Sequence, residues 1–376
     1  MPSFQGGGVR HRTLGFALGF DISPLRGVLK NARPGGRVWG LARLYDMSLG
    51  KRNFQPVLGH TASELVRPNH PYRKLLRIVP FEKLCTPLKR LYSDKGRGGY
   101  PVDTMFKALL LQWMDDLSDR ELERFLQENL AGKFFCGFGL TDATPDFSTF
   151  SVFRDRIGTE GLAALFNQVR QALKDAGLVR ESFTFVDATQ LISKVNLWKE
   201  RDRLIADGEQ KLGNATVAQV ASDNQARFGR KGNTKWYGYK IHAGVDMSQG
   251  LITRVAVTPA NIEDTKAARH VMPRAGAVFG DKAYGVGESA REMKRRGLHS
   301  EAVLKKDMNA KNPELDKWRS GVRMPFESTF ARFEKRARYR GLVKCQFQAY
   351  MQALSHNLKR LVQIQAPPLS LRPQCA

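Results

Sequence analysis

From Phe183 onward the chain alternates short β-prone runs with helical segments, and that order restricts its fold more than any other feature. Phe183-Thr184-Phe185-Val186 is the first run; residues 237–245 and 251–257 form two more, split by the turn Asp246-Met247-Ser248-Gln249-Gly250. Residues 262–272 read as a helix, Ala277-Val278-Phe279 as a fourth strand and 287–296 as a helix. Ala302-Val303-Leu304 is a fifth strand, and 325–339 read as a last helix before a C-terminal helix over 343–362. Three strands followed by alternating helix and strand predict a mixed sheet flanked by helices.

The chain ahead of this sheet has a different texture. Residues 68–140 read as helical, with Pro101 at a first helical turn and Met105, Leu109, Leu110 and Trp113 marking an apolar face. Ser118-Asp119-Arg120-Glu121 is a capping box that starts a second helix, whose stripe is Leu122, Phe125 and Leu126. Two readings stand for this pair: a helix-turn-helix unit, or a plain helical hairpin packing a core. A third helix follows Pro145-Asp146-Phe147-Ser148, capped by Asp146 or Ser148, and a fourth spans 160–176. The expected organisation is a basic arm or mis-started segment over 1–46, a helical DNA-binding domain over 47–178, a catalytic domain over 179–364 and a frayed tail over 365–376. Within the catalytic domain, 194–236 is a polar insertion, and a long polar excursion of this kind is usually functional or disordered. A chain begun at Met47 is expected to fold and to bind DNA normally.

Charge narrows the partner. The 376 residues carry a formal net charge of +25, an excess that repels itself unless a polyanion is present. Nucleic acid is the expected partner, because phosphates release counterions as Lys and Arg neutralise them. The four cysteines, Cys85, Cys136, Cys345 and Cys375, show no CxxC spacing, which argues against a zinc ribbon or a disulfide scaffold and fits a reducing cytoplasm. No apolar stretch approaches ~20 residues, so no membrane span is expected. The stretch after Arg10-His11-Arg12 lacks a cleavage site and is not read as a leader.

Three acids stand out by position. Asp187 ends the first strand, Asp281 ends the fourth, and Glu327 lies in the helix after the fifth. The strand order is that of a ribonuclease H-like sheet, in which the first and fourth strands are neighbours and would bring Asp187 beside Asp281. Carboxylates held together repel, which raises a pKa or recruits a cation. Oxygen ligands suit Mg²⁺. For each acid taken singly, a turn, cap or solvated-face role is the commoner one; the combination points to phosphodiester chemistry.

Specific runs carry a resemblance. Phe185-Val186-Asp187-Ala188-Thr189, Tyr239-Lys240-Ile241-His242-Ala243-Gly244-Val245-Asp246, Thr258-Pro259-Ala260-Asn261-Ile262-Glu263-Asp264 and Gly280-Asp281-Lys282-Ala283-Tyr284-Gly285 occur in order. Arg323-Met324-Pro325-Phe326-Glu327 and Asn357-Leu358-Lys359-Arg360 complete the set, with Pro145-Asp146-Phe147-Ser148-Thr149 and Phe153-Arg154 upstream. Over 68–364 the chain resembles the DDE transposases of the insertion sequence five family. The resemblance implies a ribonuclease H-like catalytic domain, two Mg²⁺ ions for which Mn²⁺ would substitute, and a catalytic and metal-binding triad of Asp187, Asp281 and Glu327. Arg323 matches an Arg that helps position DNA; Lys335, Arg338, Lys240 and His242 are the other DNA-binding candidates. The family often has Tyr where Ser320 stands, and Lys where Glu334 stands with Lys335 following. On a helix over 325–339, Glu334 would share the face of Glu327 and Lys335 would be turned by about 100°.

The implied activity is cutting at terminal inverted repeats and joining of the 3′ ends to target DNA, by a homodimer on DNA. A structure-selective nuclease of the same fold is the alternative, and a catalytically silent DNA-binding derivative a third.

Overall fold

The computed structural model describes residues 61–92, 99–195, 217, 219, 221–304 and 312–371. The expectations for residues 1–46 and for most of the 194–236 insertion lie outside these. His60–Ala376 forms one compact unit.

Helices come first: α1 (Ala62–Leu65), α2 (Pro71–Ile78), α3 (Phe81–Leu84), α4 (Val102–Met114), α5 (Asp119–Glu128), α6 (Leu130–Cys136) and α7 (Phe147–Asp175). Pro101 precedes α4 by one residue, and Ser118 with Glu121 forms the predicted capping box of α5. Asp146 caps α7 by accepting from the Thr149 N–H. The two helices expected over this region are one element broken at Gly158, whose φ of 62° only a glycine adopts cheaply. From Thr104 to Met114 every residue of α4 is buried, so this helix packs a core on all sides. Arg154 on α7 grips Asp119 on α5 with two parallel hydrogen bonds of 2.6 and 2.7 Å, the geometry that makes Arg–carboxylate pairs strong.

The mixed sheet contains β1 (Phe183–Ile192), β2 (Arg227–Lys231), β3 (Thr234–Asp246), β4 (Leu251–Pro259), β5 (Ala277–Gly280) and β6 (His299–Ala302). β3 lies antiparallel to β1, β2 and β4, whereas β5 is parallel to both β1 and β6. The interleaved helices are α8 (Asp264–Ala267), α9 (Gly287–Arg296), α10 (Pro313–Ala331) and α11 (Leu342–Gln363).

One sheet face, with Phe185, Tyr239, Ile241, Ala243, Val255 and Phe279, joins the N-terminal helices and α11 in a single large core. The other, with Val186 and Val278, packs a smaller core of Met272, Tyr284 and Met293. No helix among the described residues is long and apolar enough to cross a membrane. Cys85, Cys136 and Cys345 are buried free thiols.

Three further elements depart from expectation: the strand read over 302–304 is His299–Ala302, the helix read over 262–272 is α-helical only over Asp264–Ala267, and the last helix before α11 is displaced. The helix read over 325–339 runs instead from Pro313 to Ala331, capped by Asn312, with Pro325 inside it. Proline suits a first helical turn, and both prolines offer that signal; Pro313 is the one that uses it. The chain then leaves helical geometry: the Lys335 carbonyl accepts from Ile192 N–H, and Ala337 N–H donates to the Ile192 carbonyl, both at 2.7 Å. Glu334 is therefore off the helix and shares no face with Glu327.

Candidate active site

Register alone brings two carboxylates together. Thr184 pairs with Val278 and Phe185 with Phe279 in parallel. Two residues further along each strand stand Asp187 and Asp281, where β5 has stopped pairing and its end opens beside β1. Each acid accepts from a nearby backbone N–H: Asp187 Oδ1 from Ala188 within β1 at 2.8 Å, and Asp281 Oδ1 from Ala283 in the turn after β5 at 2.9 Å. Burial pushes the Asp187 carboxyl up to about 6; Asp281 and Asp264 push it the same way, while the Ala188 N–H and the Lys231 ammonium oppose them.

The run from Gly280 to Gly285 has a packing logic. A Cβ at Gly280 would stand 2.8 to 3.0 Å from the Tyr284 side chain, so glycine lets that ring lie against the strand end. Tyr284 is wholly buried and its hydroxyl has no hydrogen-bond partner among the described residues. Burial raises its phenol well above the ordinary range, with the charges of Asp264, Asp187 and Asp281 adding to the effect. The ring thus sits in the negative field of the carboxylates.

Glu327 approaches from another element. Helix α10 packs on β1 and β5, with Phe330 edge-on to Phe185 at 5.4 Å and Trp318 beside Phe279 at 6.1 Å. Glu327, one turn before Phe330, is exposed; its Oε1 is 3.5 Å from Arg323 Nε. Among the described residues no group of three His, Cys, Asp or Glu side chains stands close enough to hold a metal ion. Asp187 and Asp281 are brought together; Glu327 is on the adjoining helix without closing the set.

The DNA-facing candidates divide. Lys335 is exposed, and the buried Nε of Arg323 has no hydrogen-bond partner. Lys240 Nζ, by contrast, donates to the Ile262 carbonyl and to Asp264 Oδ1, each at 2.9 Å, which ties two of the resembling runs to one another. Arg338 donates to Glu334 Oε2 (2.9 Å) and the Leu117 carbonyl (2.7 Å), also pairs with Asp116, and lies 4.1 Å over the Trp113 ring.

His242 is wholly buried, its Nε2 sharing a hydrogen bond of 2.9 Å with Thr258 Oγ1. Burial lowers its pKa to about 4. The sign follows: between about 6.5 and about 4 the unfolded chain takes up a proton at this site and the folded chain does not, so stability falls as pH falls through that window. The full shift corresponds to about 3 kcal/mol. His242→Gln, which cannot titrate there, is expected to lose less stability than the parent between pH 7 and pH 4.5 in denaturant titrations; equal losses would refute this.

Sequence reading missed Tyr284 and Asp264 as parts of the site, and took β2 with Lys231 for the polar, loop-like end of the 194–236 insertion. Gly232-Asn233 between Phe228 and Trp236 is a two-residue hairpin signal that would have found that strand and its lysine.

A mixed sheet that sets two aspartates side by side, one within β1 and one just past the end of the parallel β5, beside a helix carrying a glutamate, is the framework of a carboxylate-dependent enzyme. Family models place it. The transposase domain family (DUF772) matches residues 60–156 and the transposase DDE domain family matches residues 200–358; Asp281 and Glu327 fall within the second match, and Asp187 precedes it. No solved structure matches the chain. The chain is a DNA transposase of the DDE, insertion-sequence type.

Proposed function

We propose that this transposase cuts DNA at the terminal inverted repeats of an insertion sequence and joins the freed 3′ ends to target DNA, with Asp187, Asp281 and Glu327 as its catalytic carboxylates. The observation that carries the proposal is the register of β1 and β5, which juxtaposes Asp187 and Asp281 in a part-buried, mutually repelling pair. The order β4-β3-β1-β5-β6, with β3 antiparallel to its neighbours and β5 and β6 parallel to β1, supports a ribonuclease H-like reading of the sheet.

The donor set fits a hard divalent cation. Mg²⁺ takes one or two carboxylates and completes its shell with water and substrate phosphate, so an aspartate pair is a sufficient protein contribution. Asp187 and Asp281 would hold Mg²⁺, or Mn²⁺ in its place, with Glu327 serving a second ion. Two such ions, when bound, activate the attacking oxygen and stabilise the leaving one in an in-line displacement. Arg323 and Lys335 are the side chains available to orient phosphates. Lys240, His242 and Arg338 act from behind: Lys240 fixes Asp264 beside the pair, His242 fills the sheet behind it, and Arg338 fastens the 332–340 segment to the helical region.

The test uses labelled inverted-repeat ends with a supercoiled target. Joined products support the proposal; cleavage without joining identifies the nuclease instead, and binding alone the silent derivative. Within this assay Glu327→Gln is expected to abolish cleavage. Glu334→Gln is expected to keep most of it, because Glu334 lies past the end of α10 and hydrogen-bonds Arg338. The reverse ranking would reassign the third acid.

A further inference from the structure

The hairpin formed by β2 and β3 carries a charge pattern that the catalytic reading leaves unused. Arg230 faces Lys235 and Lys231 faces Thr234 across the ladder, and the turn between them is Gly232-Asn233. Gly232 has φ +59° at the first central position, the requirement of a tight hairpin turn of type II′. Residues 230 to 235 are all exposed, and a Cβ added at Gly232 would meet only open space. None of the ion pairs among the described residues involves Arg230, Lys231 or Lys235. Like charges opposed on one face of a ladder are destabilising by themselves, as Arg230 and Lys235 are here.

The ribbon is nevertheless rigidly mounted. A Cβ at Gly229 would stand 2.7 Å from the Trp236 ring and 2.8 Å from Ala260 Cβ, so strand and ring are in direct contact. Trp236 Nε1 donates to the Tyr239 carbonyl at 3.1 Å, and Tyr237 Oη donates to the Asp223 carbonyl at 2.9 Å. At Gly238, where β3 passes from β2 to β1, a Cβ would lie 2.1 Å from the Leu191 carbonyl oxygen. The Lys231 charge reaches Asp187, where it opposes the upward push of burial.

Successive residues of a strand point to opposite faces, so Lys231 lies on one face of the ribbon and Arg230 with Lys235 on the other. A two-stranded ribbon fits the major groove of duplex DNA, whose two walls are rows of phosphates. We propose that this hairpin tip enters the major groove of the duplex flanking Asp187 and Asp281, with Lys231 contacting phosphates on one wall and Arg230 and Lys235 those on the other. The proposal rests on the reading that DNA is cut at those carboxylates. It assigns the hairpin a positioning role that is independent of base sequence.

The experiment measures binding of the full chain to random-sequence duplex and to single-stranded DNA across a salt series, in chelator so that no cleavage occurs. For duplex, the log–log salt slope of the triple variant R230A/K231A/K235A should be shallower than that of the parent by about 2–3, close to 0.9 per lost phosphate contact. The single-strand slope should not change, and Lys231→Arg should keep the parent slope. A triple variant in α9, R291A/K294A/R295A, removes the same charge elsewhere and should leave the duplex slope intact. An unchanged slope in the folded hairpin variant overturns the proposal. So does an equal loss in the α9 variant, or an equal loss on single strands. Should the triple variant fail to fold, Lys231→Ala alone should lose about 0.9, and no loss there is equally decisive. A parent slope near zero would instead reject DNA as the substrate, which separates the two failures.

Discussion

Asp187→Asn is expected to abolish DNA strand cleavage and, in the same protein at pH 7.5, to raise the melting temperature. The two effects have one cause. The Asp187 carboxyl titrates at about 6 in the fold because it is largely removed from water beside Asp281 and Asp264. A raised folded-state pKa means that its contribution to stability is fully present below the unfolded value near 4 and is lost as pH rises through about 6. At pH 7.5 the ionised group therefore costs up to about 3 kcal/mol, less whatever solvent screening the part-exposed side chain retains. Asparagine keeps the acceptor for Ala188 N–H and removes the charge. Its advantage should shrink as pH falls from 7.5 to 4.5, in the window where His242 drives stability the other way. Cleavage should fall by at least roughly a thousandfold, since charge on the displaced oxygens loses its electrostatic stabilisation. DNA binding should persist, because it rests on Lys and Arg elsewhere. Asp281→Asn should also abolish cleavage. A variant that cleaves at near-parental rate removes Asp187 from the site; one that melts well below the parent at pH 7.5 makes the carboxylate a structural group.

Much of this fold was legible in order and little in detail, for identifiable reasons. The capping box at Ser118 and the helix over 287–296 depend on local chemistry and were found where expected. β1 reads as four residues but runs to Ile192, because Ala188, Thr189 and Gln190 have no apolar alternation; their pairing with residues 240–242 of β3 makes them a strand. β2 was hidden by its three cations and central glycine, and exists because Trp236 covers Gly229. The start of α10 was misplaced by twelve residues, since Pro325 imitates a first-turn proline. Asp281 was visible because a strand end is a local feature; Asp187 was read as a strand end too, but it is the fifth of the ten residues of β1 and meets Asp281 through the β1–β5 register. The engagement of Arg338 was not visible, since Asp116 and Leu117 lie more than two hundred residues away in the chain.

Asn357→Ala is expected to be among the most destabilising single substitutions in the chain, although it lies far from the carboxylates. β4 pairs only with β3 among the described strands, so its outer backbone groups need partners from elsewhere. Helix α11 supplies them. Asn357 Oδ1 accepts from Ile252 N–H and Asn357 Nδ2 donates to the Ile252 carbonyl, both at 2.8 Å and both buried. Eleven residues earlier, Gln346 Oε1 accepts from Val257 N–H at 2.8 Å and its Nε2 donates to the Val255 carbonyl at 3.4 Å. A side-chain amide on a helix thus completes the edge of a strand, which also blunts that edge against pairing with other chains. Alanine at 357 would leave one buried N–H and one buried C=O without partners, at a cost of roughly 1–3 kcal/mol each. Its better helix propensity returns only about 0.5 kcal/mol. The net loss of about 2–5 kcal/mol should lower the melting temperature by roughly 3–8 °C in a chain of this size. Gln346→Ala should cost less, since Gln346 is half-buried and water can replace its amide. Below the transition the Asn357 variant should still bind DNA with the parent salt slope, because no phosphate-facing group has changed. A loss under 1 kcal/mol would mean that β4 is satisfied without the clamp, and that the Asn357-Leu358-Lys359-Arg360 run acts at DNA instead.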